Sequence, residues 1–293
     1  MKPLKVAIVA ATVSLAAVSA TPTSGHAADA PLVVSGYSDA RVDQDWGLFS
    51  DCGADLRTML TDPANFGPGG TVERSVSLSD PGLDTVTPGS LDGVDVFFTG
   101  WVLTSTYTAD ERAALLDYVL DGGAVIATTD GTDHDISDLF GLTLQDSSYT
   151  TGTPTATDSP LIDGPFGTVS SVVFSGDQGI YSDLGEASEI VEADPDLGPA
   201  VALLAPGALG PGSGPVVLVA DVDVFTTEAC AAGPGSGALA NEAFVLNVFA
   251  YLAGLDAPPV ETTTTAPTTT VPATPTTTAA PARAATVTPT FTG

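Results

Sequence analysis

The chain has 293 residues, of which 43% are hydrophobic and 15% charged, so it can bury the core of one large domain or two small ones. Its 36 acidic residues outnumber its 7 lysines and arginines, for a formal net charge of −29 at pH 7. Such an excess of negative charge repels phosphate backbones and anionic lipid, which argues against nucleic-acid or membrane-surface binding. The preferred interpretation of the acidic residues is a solvated surface that keeps the protein soluble, and cation binding is the alternative.

The N-terminal segment has the pattern of a secretory signal. Lys2 and Lys5 precede the apolar run 6–20, and small residues follow as far as Ala27. A charged region, a short apolar region and small residues in this order are typical of a cleaved signal peptide, and the run is short for a membrane-spanning helix. The sequence therefore predicts a signal over residues 1–27. It also predicts a secreted protein, free or associated with a cell surface, without a membrane span in the mature chain.

Strand and helix signals alternate at the start of the predicted domain, which covers residues 28–257. Short apolar runs predict buried strands, and an alternating run predicts an edge strand. In chain order these are a strand at 32–34, a helix at 54–60, an edge strand at 72–78 and a buried strand at 94–99.

The clearest predicted helix begins at Thr108. Thr108 and Glu111 have the spacing of a capping box, and Gly122 and Gly123 are typical of a helix end. The continuous apolar run 124–129 then predicts a buried parallel strand. Together these elements predict a β-α-β unit.

The remaining chain divides into three parts. A strand is predicted at 215–220 and a helix at 240–252. The segment 143–204 is rich in Thr, Ser, Gly and Asp, which predicts short antiparallel strands and loops inserted in the domain. Residues 258–293 are almost entirely Thr, Pro, Ala and Val, which predicts a disordered tail.

The chain has two cysteines, Cys52 and Cys230. An exported chain meets an oxidising environment, so the sequence predicts a disulfide between them. The bridge would join two loops at the same edge of the predicted sheet.

Aromatic and acidic side chains follow the predicted strands. In open α/β sheets, ligands bind at the carboxyl ends of the strands. The candidate ligand contacts there are Tyr37, Asp39, Trp46, Trp101 and Tyr107. Core packing is an equal alternative for Trp101, because large aromatic side chains bury well.

Asp130, His134 and Asp221 are a candidate metal site at the same edge. Carboxylate oxygens and an imidazole suit a hard cation or a mixed site, so a divalent cation is the one candidate cofactor. The alternative, which we prefer, is that Asp133 or Asp135 caps the short helix that follows and His134 is exposed.

Two stretches resemble a known family. Residues 94–130, from "VDVFFTG" to "GGAVIATTD", and residues 212–254, with "PVVLVADVDVFT" and "NEAFVLNVFAYLAG", are similar to class I glutamine-amidotransferase-like domains, in particular their extracellular relatives. The resemblance implies a flavodoxin-like fold, here a three-layer α/β sandwich with a mostly parallel sheet and an inserted β-rich segment. The family's cysteine after the second strand is replaced by Thr128, Thr129 and Asp130, so amidotransferase activity is not expected.

Together, these observations predict a secreted non-catalytic binding or surface-associated module. Its expected partner is a cell-surface glycan or protein, and nucleic acid is not expected. The alternative is a secreted metal-dependent hydrolase that uses Asp130, His134 and Asp221. His134 would be its one imidazole, because His26 lies in the predicted signal. A structural surface protein with a glycan-bearing tail is a third interpretation.

Overall fold

The computed structural model of the protein describes residues 30–254, with the exception of 177, 194–196, 232 and 234. The predicted signal and tail lie outside the described residues and stay predictions. The strands are β1 (Leu32–Gly36), β2 (Val76–Leu78), β3 (Val96–Phe98), β4 (Ala124–Thr128), β5 (Thr143–Ser147), β6 (Thr151–Pro154), β7 (Asp163–Gly164), β8 (Gly167–Thr168), β9 (Val172–Val173), β10 (Gln178–Asp183), β11 (Ser188–Ala193), β12 (Gly198–Leu204) and β13 (Val216–Val219). The helices are α1 (Ala54–Thr61), α2 (Ala109–Leu120) and α3 (Glu242–Leu252). Within the described part of the chain, no helix has the length and apolar character needed to cross a membrane.

Nine strands form the main sheet, in the order β2-β1-β3-β4-β13-β12-β11-β6-β9. The first five strands in this order, β2, β1, β3, β4 and β13, are parallel to one another. From β13 onward each neighbour is antiparallel. Two small sheets, β10-β5 and β7-β8, complete the described strands. The carboxyl ends of β1, β3, β4 and β13 therefore meet at one edge.

The predicted three-layer α/β sandwich with a mostly parallel, flavodoxin-like sheet is wrong. Among the described residues there are thirteen strands and three short α-helices, and the large sheet is mixed. The error lies in the segment 143–204, which was expected to be an insertion. Four of its strands, β6, β9, β11 and β12, extend the main sheet itself. Antiparallel strands need no helical crossover, so this half of the sheet forms with few helices.

Apolar side chains cover both faces of the sheet. Along β3, Val96 and Phe98 belong to one buried cluster and Phe97 to the other, as expected from the alternation of side chains along a strand. Residues of α1 and α3 pack in the first cluster, and residues of α2 pack in the second. The central strand β13 is buried along its whole length and holds the polar edge described below in place.

Two buried asparagines connect α3 to the outer strands. The side-chain oxygen of Asn241 accepts a hydrogen bond from the Val173 N–H (2.8 Å), and its amide nitrogen donates to the Val173 carbonyl (2.9 Å). Asn247 bonds in the same way to the Phe166 N–H (3.0 Å) and the Gly167 carbonyl (2.9 Å). Each side chain thus takes the place of a strand neighbour, which satisfies main-chain groups that would otherwise be unpaired.

The predicted disulfide between Cys52 and Cys230 is confirmed, with the two Cα atoms 5.7 Å apart. It joins the segment before α1 to the loop between β13 and α3. The Thr227 N–H also donates to the Cys52 carbonyl at 2.8 Å. The bridge and this hydrogen bond hold the two segments together.

Candidate functional site

A polar cleft of about 310 Å³ lies at the carboxyl ends of β3 and β4. One wall comes from the segments that follow these strands, and the other comes from the β5-β10 sheet, in which Ser147 pairs with Gln178. The cleft is lined by Trp101, Asp130, Gly131, Thr132, Asp133, His134, Asp146, Ser147 and Gln178. It therefore presents carboxylates, hydroxyls and an amide beside an aromatic ring.

Three rings form a stack next to the cleft. The ring centres of Trp46 and Trp101 are 4.3 Å apart, with an interplanar angle of 40°. Those of Trp101 and His134 are 3.9 Å apart at 17°. Trp101 and His134 are 9% and 8% exposed, whereas Trp46, at the outer end of the stack, is only half-buried. Trp46 is thus the most accessible ring of the stack but lies outside the cleft lining, to which Trp101 and His134 belong.

The loop that carries Trp46 is held in place by main-chain contacts. The Trp101 N–H donates to the Trp46 carbonyl (2.8 Å), and the Asp43 N–H donates to the Trp101 carbonyl (2.7 Å). Gly100 has a φ of +65°, and a Cβ there would lie 3.0 Å from the Trp46 carbonyl oxygen. The neighbouring residues Gln44 and Asp45 adopt positive φ values of 48° and 65°, which are unfavourable for side-chain-bearing residues. The loop is therefore fixed by its surroundings.

His134 is a buried imidazole beside a carboxylate. Its Nε2 lies 3.6 Å from Asp43 Oδ2, longer than a hydrogen bond. Burial is the largest influence and lowers the pKa of His134, while Asp43 opposes the shift. The side chain is thus held in its neutral form, stacked on Trp101.

We expect the pH dependence of stability to report this burial. The folded pKa of His134 lies below the unfolded value of about 6.5, so on acidification the unfolded chain binds the proton first. The stabilising contribution of His134 is complete above pH ~6.5 and is lost as the pH falls from there through the folded pKa. Urea unfolding of the wild type and of His134→Gln should therefore show a stability difference that shrinks between pH 7.5 and 5. A difference that grows on acidification would contradict this assignment.

The carboxylates of the cleft differ in their surroundings. Asp130 is 5% exposed, whereas Asp133 is exposed. Asp146 accepts hydrogen bonds from the N–H (2.8 Å) and the hydroxyl (3.4 Å) of Thr132, which connects the two walls. Asp133 and Asp146 are therefore the exposed carboxylates of the cleft, and Asp146 is already bonded to Thr132.

Asp221, the third residue of the predicted metal site, does not line the cleft. It is fully buried and accepts hydrogen bonds from the N–H groups of Ser175 (2.7 Å) and Asp223 (2.8 Å). Burial, followed by the nearby charges of Asp223 and Asp130, holds its pKa well above the ordinary range. Across the described ranges, no three His, Cys, Asp or Glu side chains are grouped so that they could hold a metal ion. The metal-site prediction for Asp130, His134 and Asp221 thus gains no support.

The capping alternative has partial support from the geometry. Asp135 accepts a hydrogen bond from the Ser137 N–H at 2.7 Å, at the start of the 3₁₀ helix Ser137–Phe140. Asp133 makes no such bond within the described residues. His134 is buried, not exposed as this interpretation required.

Two predicted ligand contacts, Tyr37 and Tyr107, belong to a separate cluster. The Tyr37 hydroxyl donates to Glu111 (2.9 Å), and Arg41 forms an ion pair with the other Glu111 oxygen (3.0 Å). The Arg41 guanidinium lies 5.3 Å from the ring centre of Tyr37 and 5.2 Å from that of Tyr107. Burial raises the pKa of both tyrosines. Asp39 is exposed and does not line the cleft.

Five lining residues escaped the sequence analysis: Gly131, Thr132, Asp146, Ser147 and Gln178. The last three come from the segment 143–204 and reach the cleft through the pairing of β5 with β10. Such pairing between distant residues leaves no local sequence signal. Thr132 could have been included as part of the loop after β4.

Similarity to known proteins is confined to structure. No protein-family model and no curated protein matches the chain. The mmIFT52 N-terminal domain is similar at 14% identity and a TM-score of 0.53, over 76% of this chain and 98% of that domain. A ThuA-like protein from Bacteroides uniformis matches at 13% identity and a TM-score of 0.43, over 76% and 92% of the two chains. A β-galactosidase from Rahnella sp. R3 matches at 12% identity and 0.45, over 78% of this chain but 32% of its own. Of these three, the mmIFT52 domain alone has a TM-score above 0.5, and at 14% identity it supports a likeness in fold only. The resemblance to amidotransferase-like domains stays a prediction.

Proposed function

We propose that the protein is a secreted, non-catalytic module that binds a glycan in the polar cleft at the carboxyl ends of β3 and β4. The observation that carries the proposal is the combination of the aromatic stack with the polar lining. Sugars present hydroxyls that hydrogen-bond to carboxylates and amides, together with apolar ring faces that pack on aromatic side chains. A concave site with few polar groups on a fixed scaffold is typical of small-ligand binding.

The charge of the cleft narrows the class of glycan. Asp130, Asp133 and Asp146 all line it, and the chain as a whole carries a net charge of −29. An acidic site in an acidic protein repels anionic ligands. The proposed ligand is therefore a neutral or amine-bearing glycan, and polymers rich in uronate or sulfate are disfavoured.

One feature argues against cysteine-dependent catalysis. Both cysteines are joined in the disulfide, so neither is available as a nucleophile. The metal-dependent hydrolase is less favoured than binding, because Asp221 is fully buried and does not line the cleft with Asp130 and His134.

Secretion is part of the proposal. It draws support from the signal-like pattern of residues 1–27 and from the disulfide, which persists in oxidising compartments. N-terminal sequencing of the exported protein should find a mature chain that begins near residue 28.

Substitution of Asp133 tests the site. Asp133→Asn removes an exposed carboxylate of the cleft without leaving a buried group unpaired, so the fold should be unaffected. A hydrogen bond to a charged group contributes about 1.5–3 kcal/mol, so we expect glycan affinity to fall about tenfold or more. Titration calorimetry of the full chain with neutral glucans, chitin oligosaccharides and a uronate polymer measures this directly.

Asp117→Asn is the matched control, because Asp117 is an exposed residue of α2 outside the cleft. It makes the same charge change and should bind like the wild type. Failure of the wild type to bind any neutral or amine-bearing glycan, or equal effects of the two variants, would refute the proposal.

A further inference from the structure

A second hollow, of about 340 Å³, lies beside the cleft. Its lining includes Ser148, Tyr149, Thr150, Phe174, Gln178 and Ser236. Gln178 also lines the cleft, and Ser148 directly follows Ser147 of the cleft lining. The two spaces therefore adjoin along a shared border formed by β5 and β10.

The chemistry of the second hollow is like that of the cleft. Tyr149 and Phe174 of its lining pack edge-to-face, with ring centres 5.0 Å apart, and are 5% and 1% exposed. Hydroxyl side chains at Ser148, Thr150 and Ser236 complete the lining around these rings. Aromatic surface with a hydroxyl border suits another polyhydroxylated ring.

Gln178 occupies the border between the two spaces and is 2% exposed. Its side-chain oxygen accepts a hydrogen bond from the Tyr149 N–H at 3.2 Å. This bond holds the amide in one orientation and leaves the amide nitrogen as the group suited to donate to a ligand. Gln178 is the lining residue that the two spaces share.

We propose that the cleft and the second hollow are adjacent subsites for consecutive units of one linear glycan chain, with Gln178 between them. This inference rests on the proposed glycan binding and specifies its ligand as an oligosaccharide or polysaccharide. Two adjoining spaces of similar size and chemistry favour a repeating ligand over a single sugar. Contacts made in both subsites add to the affinity only when one chain spans them.

The length of the glycan distinguishes one binding subsite from two. Calorimetric titration of the full-length protein with glucose and N-acetylglucosamine oligomers of increasing length should show affinity that rises with length and then levels off. Ser148→Trp places a large side chain at the mouth of the second hollow, where Ser148 is exposed. It should remove the gain from length, about tenfold or more, while binding of the shortest recognised oligomer stays unchanged.

Ser188→Trp is the matched control. Ser188 is exposed at the start of β11 and does not line either space, so its variant should keep the full dependence on length. If short and long oligomers bind equally and Ser148→Trp has no effect, the second subsite is refuted while glycan binding in the cleft stands. If no oligomer binds, the proposed function and this inference both fail.

Discussion

Removal of the Cys52–Cys230 disulfide is expected to lower the free energy of unfolding by about 2–5 kcal/mol. The bridge closes a loop with a sequence separation of 178 residues, and long loops give the largest restriction of the unfolded chain. Cys52 is 4% exposed, so serine there also places a hydroxyl in an apolar site. Urea unfolding of the oxidised wild type and of the Cys52→Ser, Cys230→Ser double variant measures the loss.

The effect of a reductant supplies the control. Reduction should destabilise the wild type and leave the double variant unchanged. Hydrogen exchange should also show that the loop between β13 and α3 opens more readily without the bridge. Equal stability of the oxidised and reduced wild type would contradict the prediction.

Glu111→Ala is the second change with a large expected effect, a loss of about 3 kcal/mol in the free energy of unfolding. Glu111 is 2% exposed and accepts from both Tyr37 and Arg41. Its removal leaves the buried Tyr37 hydroxyl without its acceptor and the mostly buried Arg41 guanidinium without a counter-charge, although Arg41 still donates to Thr106. Such groups cost more than the lost attraction itself. The matched control is Glu186→Ala, an exposed glutamate whose replacement should change stability by less than about 0.5 kcal/mol.

The double variant Glu111→Ala, Arg41→Ala identifies the source of the loss. Without Arg41 there is no unpaired guanidinium, so the double variant should lose less than the sum of the two single losses. Strict additivity would show that the ion pair contributes nothing and that Glu111 acts through packing and its hydrogen bond with Tyr37.

Local signals in the sequence predicted most of the parallel half of the sheet. The capping box is an informative case. The Thr108 hydroxyl accepts from the Glu111 N–H at 3.1 Å, as the spacing predicted. The glutamate side chain, however, bonds to Tyr37 and Arg41 instead of returning to the helix start. Local pattern thus predicted where α2 begins, while tertiary contacts decided the role of Glu111.

For the antiparallel half, local composition predicted short antiparallel strands but not their place in the main sheet. The strands of segment 143–204 range from two residues in β7, β8 and β9 to seven largely apolar residues in β12. Whether such strands form a separate insertion or extend a sheet depends on long-range pairing, such as that of β12 with β13. Local composition carries no information on that choice.

Long-range contacts also limited the prediction of the cleft. The rule that ligands bind at the carboxyl ends of parallel strands led to Trp46, Trp101, Asp130 and His134, which the structure brings to one place. It could not separate them from Tyr37 and Tyr107, because the Arg41–Glu111 ion pair that binds the tyrosines joins residues 70 positions apart.

The ends of the main sheet have a consequence for behaviour at high concentration. An exposed edge strand can recruit a strand from another molecule and start aggregation, and proteins avoid this with short or covered edges. Here the outer strands β2 and β9 have three and two residues, and Asn241 occupies both main-chain groups of Val173. An incoming strand would find little unpaired backbone at either end of the nine-stranded sheet, which disfavours edge-to-edge association of crowded molecules.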